Sequence, residues 1–323
     1  MNHSIGIDVG KTELVACIRA SDGKTAIPAP FPNSIIGLHK LVVHFKKLGV
    51  GIDDPILLES TGPYHWKAAR TLTDKGYLVK VANPLHTKQM ARHSIRKRKT
   101  DKVDAGHLSF LASQEYGYRF VETADMARKK AMVRHYWKLR LTATNHLIHE
   151  RYLKEHRGIS THSISSFILK KCGKLKQEII DEWDKGNNMK YLDSIPGITP
   201  FLAATILAEL LPLERFERID QIIAFAGLDP SVKQTGGRKG AHGALSKRGS
   251  PTLREALFLA AFGSFSRQPM KTLYDRYKER GLHHNTILCI LGRKILRIAV
   301  SLLKKRRVFD PKKLSTVSHL TGT

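Results

Sequence analysis

An acidic residue in the middle of an apolar strand is the feature that most constrains this sequence. The segment Ile5–Val9 reads Ile-Gly-Ile-Asp-Val, a pattern typical of a buried β-strand. Burying the carboxylate of Asp8 costs free energy unless a cation meets it. We therefore expect Asp8 to lie where the sheet offers a cation access.

Three further acids lie in comparable settings. Glu59 ends a second apolar run and would emerge on the same rim as Asp8 if the two strands are neighbours. Asp101 and Asp104 are three residues apart and share one face if that segment is helical. Four converging carboxylates would form a site for Mg²⁺ or Mn²⁺ ions, which bind oxygen ligands and activate phosphate oxygens. Each acid alone is explained as well by a cap or a salt bridge, so the prediction depends on the combination.

The overall charge indicates a polyanionic partner. The chain has 323 residues, with 55 Lys and Arg against 28 Asp and Glu, a formal net charge of +27. Hydrophobic residues make up 41% of the sequence, which allows a core and argues against a disordered basic tail. We expect no secretory signal, because the N-terminus leads directly into a strand-like pattern that carries a charge. We expect no membrane span, because no apolar run approaches ~18 residues. The three cysteines form no cluster, so neither disulfides nor structural zinc are expected.

The pattern changes twice along the chain, which predicts three domains. Residues 1–124 alternate strands and helices and predict an α/β domain with a mixed sheet. We expect its first two strands, Ile5–Val9 and Leu14–Ile18, to form a hairpin, and a later helix to begin at Asn83. Residues 125–187 are basic and predict long central helices, coiled-coil-like, with a break near Gly158. Residues 188–323 are mostly helical. Their segment Ile195–Ile198 resembles the helix-hairpin-helix element of DNA-binding proteins, although an ordinary packing turn explains it equally well.

The N-terminal segment also resembles two nucleotide-binding motifs. Gly10-Lys11-Thr12 resembles the end of a P-loop, but Ile5 stands where that motif requires glycine. The segment Ile5–Thr12 also resembles the first phosphate loop of the actin-like ATPases. That superfamily has a second Asp-Gly loop, and the sequence shows no convincing copy of it. Phosphoryl transfer on a nucleic acid therefore explains the acids better than nucleotide hydrolysis.

Short motifs follow one another in a consistent order along nearly the whole chain. They are Gly6–Lys11, Glu59–Tyr64, Val81–Pro84, Arg98–Ala105, Ile195–Ile198, Phe225–Pro230, Gln234–Gly237 and Leu245–Arg254. Together they resemble the motifs of the insertion-sequence family 110 transposases. The resemblance implies an RNase H/RuvC-like catalytic domain whose metal site is Asp8, Glu59, Asp101 and Asp104. It also implies that the central helices dimerise and that residues 188–323 form a transposase domain.

The resemblance further implies a hydroxyl nucleophile that becomes covalently linked to DNA. The family has serine in a Gln-Ser-Gly motif, and this sequence has Thr235 at that place. A threonine hydroxyl can attack phosphorus, but its extra methyl group restricts χ1 and crowds an in-line approach. Ser231, Ser246 and Ser250 are nearby hydroxyls that we rank below Thr235.

The partners implied by the resemblance are nucleic acids. They are double-stranded DNA, both element ends and target, and a structured guide RNA, bound by a homodimer or homotetramer in the bacterial cytoplasm at the nucleoid. Basic residues near the motifs are candidates for backbone contacts. These predicted nucleic-acid-binding residues are Arg96, Lys97, Arg98, Lys99, Lys239, Lys247, Arg248 and Arg254.

Two other functions fit the same residues. One is a metal-dependent nuclease of the RNase H or junction-resolving type, which hydrolyses with water and forms no covalent intermediate. The other is an accessory nucleic-acid-binding protein without catalysis. The acids favour an enzyme, because a passive binder gains nothing from placing Asp8, Asp101 and Asp104 in a surface that attracts anions.

Overall fold

The computed structural model divides into two compact units, Met1–Thr123 and Ala124–Thr323. It describes residues 2–60, 64–82, 87, 100–160, 164–184, 188–232 and 242–312, with backbone alone at 230–232 and 242–244. The sequence predicts three domains, whereas the helices of 125–187 share the hydrophobic core of the second unit. In the described part of the chain, no helix is long and apolar enough to cross a membrane.

The first unit is built on a six-stranded mixed sheet, as predicted. Its strands lie in the order β3-β2-β1-β4-β5-β6, with β1, β4 and β5 parallel to one another. The remaining pairs are antiparallel, including the predicted β1–β2 hairpin. The elements are β1 (His3–Val9), β2 (Glu13–Ala20), β3 (Ala29–Pro32), α1 (Ile35–Lys47), β4 (Ile56–Glu59), α2 (Tyr64–Asp74), β5 (Val79–Ala82), α3 (Asp101–Ser113) and β6 (Tyr118–Arg119). The helix predicted to begin at Asn83 lies outside the described residues.

The two faces of the sheet are covered by different helices. Successive side chains of a strand point to opposite faces. Ile5 and Ile7 of β1 are fully buried in a core that includes side chains of α1 and α2. Gly6 and Asp8 therefore face the other side, where Ala105 of α3 packs with Val15 and Cys17 of β2.

A close backbone approach joins α3 to β1. A Cβ atom added at Gly6 would lie 2.2 Å from the backbone nitrogen of Ser109 and 2.3 Å from the carbonyl oxygen of Ala105. The helix starts at Asp101 because Thr100 caps it, its hydroxyl accepting a hydrogen bond from the Val103 N–H at 3.4 Å. The absence of a side chain at residue 6 therefore sets how near α3 lies to β1, and the Thr100 cap sets where the helix begins.

We expect Gly6→Ala to lower the free energy of unfolding by roughly 2–4 kcal/mol, because the new methyl group overlaps backbone that cannot rotate away. Gly106→Ala is the matched control. It adds the same methyl group to α3 at a site with nothing within 4 Å, and should stabilise the helix by about 0.5–1 kcal/mol. Urea unfolding of both variants measures the difference. Equal stability of the two variants would contradict the close approach.

The second unit is mostly helical. Its elements are α4 (Ala124–Arg157), α5 (Ile164–Asp184), α6 (Met189–Asp193), α7 (Pro200–Leu210), a 3₁₀ turn (Leu213–Arg215), α8 (Ile219–Ala226), β7 (Pro230–Val232), β8 (His242–Leu245), α9 (Pro251–Ser264), α10 (Met270–Glu279) and α11 (His284–Lys305). The long α4 and α5 match the predicted basic helices, and Gly158 follows the end of α4 with φ +65°. Arg128 near the start of α4 pairs with Glu182 near the end of α5 at 2.5 Å, so the two helices are antiparallel.

The turn Ile195–Ile198 packs inside the second unit. Ile195 and Ile198 are buried, and Gly197 has φ +87°. A Cβ atom at Gly197 would lie 2.3 Å from the carbonyl oxygen of Ala260 on α9. Glycine is thus required here by both conformation and space. The turn has a packing role, and the predicted contact between this element and DNA stays a prediction.

A buried ion pair holds α4 against α7. The carboxylate of Glu209 is fully buried and accepts two hydrogen bonds from the Arg134 guanidinium, at 2.6 and 2.9 Å. Burial acts to raise the pKa of Glu209, but the hydrogen bonds and charge of Arg134, with the charge of Lys130 and a hydrogen bond from Ser250, together outweigh it and hold that pKa below its ordinary value. Glu209 therefore contributes stability above its unfolded-state pKa, and this contribution is lost as the pH falls through the folded-state value.

We expect Arg134→Ala to lower the free energy of unfolding by about 3 kcal/mol near neutral pH, because it leaves a buried carboxylate without its cation. The loss should shrink as the pH falls from 7.5 to 4, because burial makes the stranded carboxyl take up a proton more readily than the paired one. Arg128→Ala, which removes a more exposed pair, should cost less than about 1 kcal/mol. Urea unfolding at pH 7.5 and pH 4 makes the comparison. A loss that does not depend on pH would count against the ion pair.

Candidate active site

The strand register places Asp8 and Glu59 side by side. Strands β1 and β4 are parallel, and Ile7 lies opposite Leu58. The next residues of the two strands are Asp8 and Glu59, so both carboxylates leave the sheet at neighbouring positions and on the same face. This is the arrangement that the sequence predicted for neighbouring strands.

Helix α3 adds the two other acids. Asp101 and Asp104 lie in its first turn, and α3 covers the face of the sheet toward which Gly6 and Asp8 point. The helix dipole favours negative charge in the first turn, which offsets part of the cost of placing two acids there. One face of the first unit therefore carries all four predicted acids.

The electrostatics of Asp8 show that the four acids interact. Burial, followed by the charges of Asp101 and Asp104 and then that of Glu59, raises the pKa of Asp8 from 3.8 to about 6, although a hydrogen bond from the backbone of Val9 acts to lower it. Each of these carboxylates makes ionisation of Asp8 harder. A cation placed among the four carboxylates would lower the pKa of Asp8 again.

The acids are close enough to repel one another but do not form a ligating group. Among the described residues, no three His, Cys, Asp or Glu side chains are placed so that they could hold a metal ion. The donor set nonetheless suits Mg²⁺ or Mn²⁺, because all four groups are carboxylates and three of them add to the negative charge that Asp8 meets when it ionises.

The predicted nucleophile belongs to a segment between two short strands of the second unit. Strands β7 and β8 form an antiparallel ribbon. Thr235 and Lys239 lie between these strands in the sequence and fall outside the described residues, as do the predicted nucleic-acid-binding residues Arg96, Lys97, Arg98 and Lys99. The structure therefore leaves their roles as predictions.

The base of this ribbon is closed by its own hydrogen bonds. The hydroxyl of Ser246 donates a hydrogen bond to the carboxylate of Asp229. The backbone N–H of Ser246 donates to the carbonyl oxygen of Asp229 at 3.0 Å. The hydroxyl of Ser250 caps α9 by accepting from the Leu253 N–H at 3.1 Å. Both hydroxyls have structural partners, which supports ranking them below Thr235 as nucleophiles.

Three of the predicted nucleic-acid-binding residues lie beside this base. Lys247 and Arg248 are exposed. Arg254 is half-buried, and its guanidinium donates to the Ala226 carbonyl at 3.3 Å. Their place next to the ribbon suits contact with a phosphate backbone.

Sequence reasoning missed two residues on which these arrangements depend. Gly6 sets the approach of α3, and a glycine inside an apolar strand is a known signal of close backbone contact. Glu209 pairs with Arg134 across 75 residues of sequence, and no local pattern reveals such a pair.

Comparison with known proteins decides the family. One family model, described as "Transposase IS116/IS110/IS902 family", matches residues 189–277. Another, for the DEDD transposases of IS110 elements, matches residues 5–148. The chain belongs to the IS110 family of transposases. The second match implies an RNase H-like fold for the first unit of this transposase, consistent with its mixed sheet.

Individual relatives agree with this assignment. A pilin gene-inverting protein of Moraxella bovis is 25% identical over 317 residues, which is 95% of this chain and 97% of the relative. The pilin gene-inverting protein of Moraxella lacunata shows the same identity and coverage. A 43.6 kDa protein of insertion element IS110 from Streptomyces coelicolor is 30% identical over 121 residues, covering 37% of this chain and 29% of the relative. The chain is therefore a DNA transposase or recombinase, and the family's DEDD domain implies dependence on divalent metal.

We expect Asp8→Asn to stabilise the metal-free transposase at pH 7.5 by roughly 1–3 kcal/mol. The folded-state pKa of Asp8 is raised, so its contribution to stability is present below pH 3.8 and is lost as the pH rises through about 6. Asparagine does not ionise, so the variant does not lose this stability as the pH rises. Its advantage over wild type in free energy of unfolding should therefore be smaller at pH 4.5. Urea unfolding in EDTA at both pH values measures it, with the exposed Asp53→Asn as control. A variant less stable than wild type at pH 7.5 would contradict the crowding of the four acids.

Proposed function

We propose that this transposase cuts and rejoins DNA strands by metal-assisted phosphoryl transfer through a covalent link between DNA and Thr235. The observation that carries the proposal is the group of four carboxylates around Asp8 in a chain of net charge +27. Such crowding destabilises the metal-free protein, and a structural role does not account for it.

The acids serve the reaction by holding divalent metal. Asp8, Glu59, Asp101 and Asp104 would bind Mg²⁺ or Mn²⁺, which when bound polarises the scissile phosphate and stabilises the charge that develops on it. Asp8 and Glu59 project from neighbouring strands, which fixes their spacing. Asp101 and Asp104 occupy the first turn of a helix, where both side chains can adjust to an arriving ion.

Thr235 supplies the nucleophile. Its hydroxyl oxygen attacks phosphorus, the bond from phosphorus to the 3′ oxygen breaks, and the hydroxyl proton leaves to solvent or a base while the 3′ oxygen takes up a proton. The product is a phospho-threonyl DNA link and a free 3′ hydroxyl. After strand exchange that hydroxyl reverses the step, so the phosphodiester is restored without ATP.

The basic surfaces serve the nucleic-acid partners. Lys247, Arg248 and Arg254, together with Lys239 and Arg96 to Lys99, neutralise phosphates of double-stranded DNA at the element ends and target. A structured guide RNA selects those sites by base pairing. The same basic surfaces hold this RNA, since they bind RNA and DNA alike. The transposase acts as a homodimer or homotetramer at the bacterial nucleoid.

The test is to trap the covalent intermediate. The full chain is incubated with labelled DNA that carries an element end, with Mg²⁺ and with the RNA transcribed from the element. After denaturation, wild-type protein should carry label, and Thr235→Ala should carry none. Thr235→Ser should form the adduct faster, because it removes the methyl group that crowds the hydroxyl. Ser231→Ala, a hydroxyl lost four residues away, is the matched control and should behave as wild type.

The acids are tested in the same assay. Asp8→Asn should reduce cutting at least 100-fold, because the charge that holds the metal is lost. Metal-dependent cutting that is unaffected by Thr235→Ala would instead identify a nuclease that uses water. Full activity of Asp8→Asn and Glu59→Gln would reject the catalytic role of the acids. Adduct formation that does not change when the RNA is omitted would reject RNA guidance.

A further inference from the structure

Three cations of the second unit act on one thiol. Cys289 and Arg293 lie one turn apart on α11. Lys247 belongs to the segment that joins β8 to α9, and Arg254 lies in the first turn of α9. Burial raises the pKa of Cys289, while the positive charges of Arg293, Lys247 and Arg254 act to lower it. A Cβ atom added at Gly292 of α11 would lie 3.3 Å from the carbonyl oxygen of Leu257 on α9, so the two helices approach closely beside Arg293 and Arg254 and bring these charges into one electrostatic neighbourhood.

Backbone contacts hold the Arg254 guanidinium and the chain at Lys247 in place. The Arg254 guanidinium donates to the Ala226 carbonyl at 3.3 Å. At Gly227, which has φ +67°, an added Cβ atom would lie 2.4 Å from Nη1 of Arg254 and 3.1 Å from the carbonyl carbon of Lys247. Glycine thus lets the start of α9 and the segment before it pack against the end of α8. The fold therefore places the Arg254 guanidinium and the backbone of Lys247 before any ligand arrives.

The charge of the cluster is not balanced by acids. Within the described ranges, no ion pair has Lys247, Arg254 or Arg293 as its cation. Neighbouring like charges raise the free energy of the unliganded protein, and an anion placed among them relieves that cost. Arginine side chains offer paired N–H donors that match the oxygens of a phosphate.

The position of the cluster indicates which phosphate it receives. Lys247 follows the end of β8 by two residues, and β8 pairs with β7, whose last residue, Val232, precedes Thr235 by three. The cluster therefore lies at the base of the ribbon that carries the proposed nucleophile in the sequence.

We propose that Arg293, Lys247 and Arg254 form a site for a backbone phosphate of the DNA strand that reacts with Thr235. Arg293 is the member that no sequence motif reveals, since it lies 58 residues beyond Thr235 and on a different element. The assignment of this site to the reacting DNA strand rests on the proposed function. Its binding chemistry, a phosphodiester held by three cations, does not depend on the covalent step.

Cys289 provides a direct test. Of the three cysteines, Cys17 and Cys172 are buried and Cys289 is partly accessible. The full chain is alkylated with iodoacetamide in EDTA, where no cutting occurs, with and without a 30-base-pair DNA duplex. Peptide mass spectrometry follows each cysteine. Bound DNA should slow alkylation of Cys289 at least fivefold and leave Cys17 and Cys172 unchanged.

Charge variants on the same helix refine the test. Arg293→Gln should reduce the slope of log Kobs against log salt concentration by about one for the same duplex and weaken the protection of Cys289. Arg297→Gln is the matched control, because it removes the same charge one turn further along α11, where the guanidinium lies 3.6 Å from Asp220. It should keep both the slope and the protection. Circular dichroism checks that both variants fold.

The outcomes are distinct. Unchanged alkylation of Cys289 while a gel shift shows DNA bound would overturn the site. Equal effects of Arg293→Gln and Arg297→Gln would show a general charge effect and overturn it as well. Protection by an RNA duplex but not by DNA would reject the assignment to DNA. Protection by DNA without a trapped adduct in the earlier assay would reject the covalent mechanism and leave the phosphate site standing.

Discussion

The candidate active site depends on one contact between two backbones. Helix α3 lies directly on strand β1 because residue 6 has no side chain, and the nearest backbone atoms would be about 2 Å from any Cβ there. The start of α3 is fixed by the Thr100 cap, so Asp101 and Asp104 are delivered to the face on which Asp8 lies. The parallel register of β1 and β4 adds Glu59. Sterics and hydrogen bonding therefore assemble a group of charges that electrostatics alone would disperse.

The cost of that assembly is visible in the raised pKa of Asp8. A basic chain attracts nucleic acid over long distances, and its acids meet the phosphate only through a bridging cation. The second unit has the opposite arrangement, because its cations at Lys247, Arg254 and Arg293 form no ion pair with an acid in the part of the chain that the structure describes. Both units hold like charges close together, which lowers the stability of the unliganded protein. A bound cation in the first unit and a bound phosphate in the second would relieve this repulsion, a common compromise between stability and function.

Much of this arrangement was accessible from the sequence, and the exceptions share a cause. Strand patterns and caps predicted the mixed sheet, the β1–β2 hairpin and the long helices with their break near Gly158, because these features are local. The pairing of Asp8 with Glu59 followed once parallel neighbours were assumed. The ion pair of Arg134 with Glu209 and the neighbourhood of Cys289 join segments far apart in the chain, so no local pattern encodes them. The separation of 125–187 as a domain of its own stays a prediction, and buried residues of these helices join the hydrophobic core of the second unit. Thr235, Lys239 and Arg96 to Lys99 remain predictions.

The hydrogen bonds at the base of the β7–β8 ribbon also separate the stability of the fold from the chemistry of residue 235. Asp229, Ser246 and Ser250 bond to one another's backbone or to the helices beside them, so the scaffold is complete where the ribbon begins. These bonds involve none of the residues that lie between the two strands in the sequence. A family that retains its scaffold can in this way exchange one hydroxyl amino acid for another at residue 235, and such a change is judged by the chemistry it supports rather than by the stability of the fold.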